Sequence, residues 1–350
     1  PEHIKDAAKQ ALDDGFTKYT AVDGIPTLKD AILRKLQRDN GLDYTRDQII
    51  VSCGGKHSFF NLAQAVLNPG DEVIIPAPYW VSYPDMVLLA EAEPVIVRAG
   101  MDQGFKVTPA QIDAAITPRT RMVVLNSPSN PTGVCYARQE LEAIGDVLRR
   151  HPHVLVVTDD IYEHILWGGE PFANILMVCP DLYERTMVLN GVSKSYSMTG
   201  WRIGYCAGPA SVVRGMKKVQ SQSTSNPTSI AQVAAAAALD GDQGFIHEMV
   251  NVFRERHDFC LDGLNHLRGV RCLPAQGAFY LFPSFEDAIE EQPRIKDDVA
   301  MAEHLLGNAG VALVPGSAFG APGHMRLSFA TSMDNLREAL RRIGEVLGTA

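Results

Sequence analysis

Apolar residues recur along this chain in short continuous runs rather than in strict alternation. MVVL at 122–125 and VLVV at 154–157 are two such runs, the mark of strands covered on both faces. Runs of this kind predict strands at 48–53, 72–76, 94–98, 121–126, 154–158, 186–189 and 202–207. Amphipathic helical patterns fill the gaps, among them 57–67, 138–151 and 210–220. This alternation predicts a layered α/β domain with a mostly parallel central sheet. A long helix is expected at 245–267, and beyond it the pattern changes. Two hairpin-like strands (271–274, 278–282), a helix (297–308), a strand (325–330) and a last helix (333–347) read as a smaller α+β unit. The expected division falls inside the long helix, giving a large domain at 1–262 and a small one at 263–350. The chain opens on PEHIKDAAKQALDDG, a helix pattern with Pro1 at the first helical position and Gly15 past its end. With no N-cap residue ahead of Pro1, the helix looks cut from something longer. An upstream segment is expected, and a targeting peptide on it would not be visible here.

Charge and cysteine content narrow the function classes. The formal net charge is −9, so a general nucleic-acid binder, which needs a basic face, is not expected. No apolar run reaches the roughly 18 residues of a membrane-crossing helix. Cys53, Cys135, Cys179, Cys206, Cys260 and Cys272 lie far apart without a CxxC pair. They read as reduced core thiols of a cytoplasmic protein rather than as a metal site or redox dithiol.

Ligands of open α/β sheets bind beyond the carboxyl ends of the strands, so the chemistry is expected in the segments that follow each predicted strand. Gly54, Gly55 and Lys56 follow the first. Glycines at a helix start let backbone N–H groups approach an anion, although a plain tight turn would look the same. APYW follows the second, with Trp80 either a stacking plate for a flat ligand or a core tryptophan. SPSNPTG follows 121–126 and holds Asn130, biased away from helix by Pro131. DDIY follows 154–158, where Asp159 emerges from a buried strand and needs either a cation or a helix to cap, with Tyr162 three residues on. NGVSKSYSMTGWRIG follows 186–189 and sets Lys194 among serines and glycines, with Arg202 beyond. A surface lysine is the bland reading of Lys194 alone. Together these loops offer an anion cradle, an aromatic plate, an amide, a carboxylate with a phenol, and a lysine. A planar, phosphorylated, nitrogen-containing ring bearing an aldehyde uses all of them, and pyridoxal 5′-phosphate is such a ring. No GxGxxG follows the first strand, against a nicotinamide site.

SNPTG, DDIYE and GVSKSYSMTGWRIG make the chain resemble class I aminotransferases of fold type I over essentially its whole length. GGK, PAPYWVSY, KYTAVDGIP and MRLSFATS bring it nearest to the bacterial and plant aspartate/prephenate group. The resemblance implies that Lys194 is the Schiff-base lysine and Asp159 the partner of the pyridine nitrogen. It implies that Tyr162 and Asn130 bond the ring oxygen, that Trp80 stacks, and that Arg202 binds phosphate beside Gly54 and Gly55. Arg326 matches the arginine that grips the substrate α-carboxylate. Lys56 matches a lysine for a second, distal carboxylate, which selects dicarboxylic amino acids and 2-oxo acids as substrates. Tyr19 matches a tyrosine that reaches the neighbouring subunit's phosphate, so a homodimer with shared sites is implied. The family carries about thirty further N-terminal residues, including a glycine-bearing segment over the substrate, that are not in this sequence. A β-eliminating lyase on the same scaffold, or a non-catalytic sensor domain, stand as alternatives at this point.

Overall fold

The computed structural model describes residues 1–348. Seven strands form the main sheet: β1 (Ile49–Ser52), β2 (Glu72–Ala77), β3 (Glu93–Arg98), β4 (Thr120–Asn126), β5 (Leu155–Asp159), β6 (Thr186–Gly191) and β7 (Gly204–Ala207). Their order is β1-β7-β6-β5-β4-β2-β3, with β7 antiparallel to both its neighbours and every other pairing parallel. The apolar runs are explained by burial on both faces. Ile49 and Val51 enter one core and Ile50 the opposite one. Along β4, Met122 and Val124 face one side, Val123 and Leu125 the other. Helices cover both faces: Gly55–Val66 and Ala210–Ser223 lie over Ile50, while Pro26–Lys35 and the alanine-rich Ser229–Asp240 lie over Ile49 and Val51.

Beyond the long helix Gly244–Asn265, three short antiparallel strands form a second sheet in the order β8-β10-β9: β8 (Tyr280–Leu281), β9 (Val314–Pro315) and β10 (Met325–Ser328). Helices Asp298–Ala309 and Met333–Leu347 pack on a core of its own that contains Leu281, Leu305, Leu327 and Leu340. The long helix serves both cores, Ile246 in the first and Cys260 and Leu264 in the second.

Three local expectations are corrected. Segment 271–274 is not a strand; only Arg271 bridges, to Ser284. Asn265 instead satisfies both backbone groups of Cys272, at 2.8 Å and 3.1 Å, and Pro274 has no N–H to offer a ladder. Arg202 does not open β7 but sits before it in a left-handed conformation, φ 55° and ψ 51°. Pro1 occupies the N-cap position of helix Glu2–Asp13 rather than its first turn, and its carbonyl accepts from the Lys5 amide at 3.4 Å. Gly15 follows that helix at φ 70°, as its position suggests.

Candidate active site

One cavity of about 320 Å³ opens at the carboxyl ends of the parallel strands, and side chains from the strand-end loops converge on it. Gly55 and Lys56 line it from the start of helix Gly55–Val66, Trp80 from the loop after β2 and Asn130 from the turn after β4. Asp159 and Tyr162 line it from the end of β5, and Lys194 and Arg202 from the β6–β7 loop. Arg326 arrives from β10 in the second sheet.

Asp159 is held by its neighbours. Tyr83 donates its hydroxyl to Asp159 Oδ2 at 2.5 Å and the Ile161 amide donates to Oδ1 at 3.3 Å. Burial pushes the Asp159 carboxyl up, against the lowering pull of these two bonds and of the Lys194 charge. A desolvated carboxylate facing a cavity is stabilised by a cation placed there. Lys194 shows the reverse. Burial, then the Arg326 and Arg202 charges, lower its pKa, opposed by Asp159. Its ammonium lies 5.4 Å from the Phe279 ring centre and 5.8 Å from that of Tyr162. Such surroundings favour the neutral amine that a nucleophile or base requires.

Behind the lysine loop lies a buried polar network. Glu163 pairs with Lys35 and accepts from Asn190 Nδ2 at 2.6 Å and Asn40 Nδ2 at 2.8 Å. His164 bridges Ser195 Oγ at 3.3 Å and Asp39 at 3.1 Å. Glu163 and His164, the two residues after Tyr162, are thereby tied to Asn190 and Ser195, which bracket Lys194 in sequence.

The anion cradle has a steric signature. Gly54 adopts φ 92° and ψ 163°, and a Cβ there would come within 2.3 Å of Arg202 Nη2. A Cβ on Gly204 would lie 2.3 Å from the Gly55 nitrogen. Arg202's left-handed backbone turns its side chain onto this loop, where Nη1 donates to Thr199 O at 2.9 Å and Nη2 to Cys53 O at 3.3 Å. Arg326 Nη1 donates to Asn130 Oδ1 at 2.8 Å, and the Asn130 amide donates to Asn126 Oδ1 at 2.9 Å. Among the described residues, Arg326 Nε is buried without a hydrogen-bond partner, a donor that a ligand carboxylate would satisfy. Lys56 is exposed at the cavity, its ammonium 5.3 Å from the Trp80 ring centre.

Tyr19 is not brought to this cavity; its side chain is 90% exposed. Asn126, Asn190, Tyr280 and Tyr83 were not expected from sequence. Asn126 closes β4 and Asn190 is the last residue but one of β6, so the strand-end rule reaches them. Tyr83 and Tyr280 read as ordinary aromatics of apolar segments, and only the fold aims them at the site.

The class I and II aminotransferase family model matches residues 1–343. The chain belongs to that family. Among its relatives is an aspartate/prephenate aminotransferase from Nitrosomonas europaea, 57% identical over 99% of this chain and 89% of the relative. Another, from Cereibacter sphaeroides, is 54% identical over 98% of this chain and 87% of the relative. An aspartate aminotransferase structure from Rhizobium meliloti aligns with a TM-score of 0.96 at 48% identity, covering 99% and 88% of the two chains. An aspartate aminotransferase from Thermus thermophilus, solved with maleate, aligns at 0.92 and 46% identity, covering 99% and 88%. Class I and II aminotransferases depend on pyridoxal 5′-phosphate, and the cavity fits that group. A glycine cradle with an arginine, a carboxylate short of a cation and a lysine of lowered pKa line one space. No helix among the described residues is long and apolar enough to cross a membrane.

Proposed function

We propose that this chain is a pyridoxal-phosphate-dependent aminotransferase that moves an amino group between a dicarboxylic amino acid, aspartate or glutamate, and a 2-oxo acid such as 2-oxoglutarate, oxaloacetate or prephenate. The observation that carries the reading is the convergence of Lys194, Asp159 and Arg326 on one cavity beside the Gly54–Arg202 cradle. Pyridoxal phosphate, when bound, supplies an electron sink for the charge left as a Cα–H bond breaks. Gly54, Gly55 and Arg202 would hold its phosphate, Trp80 its face, Asp159 its ring nitrogen, and Asn130 and Tyr162 its phenolic oxygen. Lys194 Nζ, its pKa lowered by burial and by two nearby guanidinium groups, would hold the group's aldehyde carbon and would carry the substrate Cα proton. Asp159 would pair with that ring nitrogen, and in such a pair each ion offsets the desolvation of the other. Arg326, with its free Nε, binds the substrate α-carboxylate, and Lys56 the distal one.

Two structural readings accompany this one. The division into domains at 1–262 and 263–350 is supported by the passage of helix Gly244–Asn265 from one core to the other. A homodimer with shared sites is supported by the exposure of Tyr19 together with Leu12 and Phe16 on the same segment. Free thiols at all six cysteines support a reducing compartment, the cytoplasm.

The test is spectroscopic and kinetic. Protein loaded with pyridoxal phosphate should show a visible band that bleaches with aspartate and returns with 2-oxoglutarate. A matrix of amino donors and oxo acids that includes prephenate ranks the substrates. Lys194→Ala should reduce turnover by orders of magnitude; near-normal transamination by this variant refutes the reading, and release of pyruvate and ammonia from cysteine-like substrates indicates a lyase instead.

A further inference from the structure

Tyr280 lines the cavity without a part in the chemistry set out above. It touches two residues that have one. The Arg326 guanidinium carbon lies 4.4 Å from the Tyr280 ring centre, and the Tyr280 hydroxyl lies 3.1 Å from that of Tyr162. Register explains the first contact. Tyr280 pairs with Ser328 across β8 and β10, so Arg326, two residues earlier, is its diagonal neighbour on the same face. The second contact depends on how the loop before β8 is seated. The Gln276 and Gly277 amides both donate to Gly133 O at 3.0 Å, which docks the loop on the turn that carries Asn130. Tyr280 is 6% exposed and Tyr162 3%, so neither hydroxyl has bulk water as a ready alternative. A pair of phenols places one proton in their mutual bond. When Tyr162 donates into the cavity, the proton of that bond must come from Tyr280.

We infer that Tyr280 is a positioning residue with two separable tasks: its ring holds the Arg326 guanidinium in place for a carboxylate, and its hydroxyl directs the Tyr162 proton into the cavity. The inference rests on the function proposed above. It deepens that reading by coupling the carboxylate-binding arginine to the phenol that faces the cofactor.

The test uses wild type, Tyr280→Phe and Tyr280→Leu, each loaded with pyridoxal phosphate, and two readouts that need no turnover. One is the pH titration of the visible band. The other is the Kd of maleate, a dicarboxylate without an amino group. Tyr280→Phe keeps the ring and loses the hydroxyl. Its maleate Kd should stay within about 2-fold of wild type, the ring contact being retained. Its band midpoint should rise by about 0.4–1.1 pH units, because a weaker hydrogen bond from Tyr162 stabilises the deprotonated form less. Tyr280→Leu should show the same rise and also bind maleate roughly 2- to 30-fold more weakly. An unshifted band in Tyr280→Phe, or a Tyr280→Leu variant that binds maleate as tightly as Tyr280→Phe, overturns the inference and leaves the functional reading standing. A wild type with neither visible band nor maleate affinity overturns the functional reading, and this inference with it.

Discussion

Gly54→Ala separates the two costs built into the proposed phosphate cradle. At φ 92° and ψ 163° the Gly54 backbone occupies a region open essentially to glycine alone, and holding another residue there costs about 1–3 kcal/mol. The added Cβ would also lie 2.3 Å from Arg202 Nη2 and 2.8 Å from Cζ. Arg202 is exposed and its guanidinium is the mobile end of the side chain. It would swing aside and give up its 3.3 Å hydrogen bond to Cys53 O. The strain lowers folding stability by about 1–3 kcal/mol whatever residue stands at 202. The displacement withdraws a charged donor from phosphate, a contact of about 1.5–3 kcal/mol, which is roughly 10- to 150-fold in cofactor affinity. The assay is a double-mutant cycle. Cofactor-free wild type, Gly54→Ala, Arg202→Met and the double variant are titrated with pyridoxal phosphate and followed by absorbance. Urea unfolding of the same four proteins reads the strain. Gly54→Ala should weaken affinity by the full factor in wild type and by less than about 3-fold once Arg202 is gone. An undiminished affinity loss in the Arg202→Met background would show that the glycine does not act through Arg202, and the cradle reasoning fails.

Three further predictions bear on substrate, assembly and stability. Lys56→Ala should cost aspartate about 10-fold or somewhat more in kcat/KM, the low end for a charge-assisted contact because Lys56 is exposed, while alanine changes far less; equal losses for both would sink the dicarboxylate reading. Mixing inactive Tyr19→Ala and Lys194→Ala proteins should restore activity in hybrid dimers, each holding one site free of both substitutions, and no recovery after verified subunit exchange would exclude shared sites. Asp160 stands next to Asp159 but faces the interior, where burial and the Glu163 charge push its carboxyl up to about 7 from 3.8. A raised carboxyl pKa favours the folded state below the unfolded value, and that stability is lost as pH climbs from about 4 to about 7. Asp160→Asn should therefore be more stabilising, relative to wild type, at pH 8 than at pH 5, by about 2–3 kcal/mol in urea unfolding, and a difference independent of pH would contradict the assignment.

Much of the site was legible because strand-end chemistry is local. A buried parallel strand announces itself as an apolar run, and the residue that follows it lands at the sheet's carboxyl edge whatever the strand order. Gly54, Trp80, Asn130, Asp159 and Lys194 could be placed on that rule. The left-handed backbone of Arg202 could not, and its side chain reaches Cys53 O, 149 residues away in sequence. Segment 271–274 likewise resembles a strand in composition, yet Asn265 takes up both backbone groups of Cys272 and only Arg271 bridges.

The sequence by itself determined that Trp80, Asn130, Asp159 and Lys194 follow buried strands, since turn residues, apolar runs and the lysine among serines act over a few positions. Only the tertiary structure decided the strand order, with antiparallel β7 between β1 and β6, because pairing is settled by packing of both faces and not by any one strand's residues. It also decided that Tyr280 and Arg326, diagonal on one small sheet, meet Tyr162 and Asn130 from the other. Lys194 shows the division most clearly. Its position was readable from a fifteen-residue stretch, but its lowered pKa comes from burial and from two arginines brought close by the fold, and desolvation and charge proximity are properties of three-dimensional space rather than of sequence.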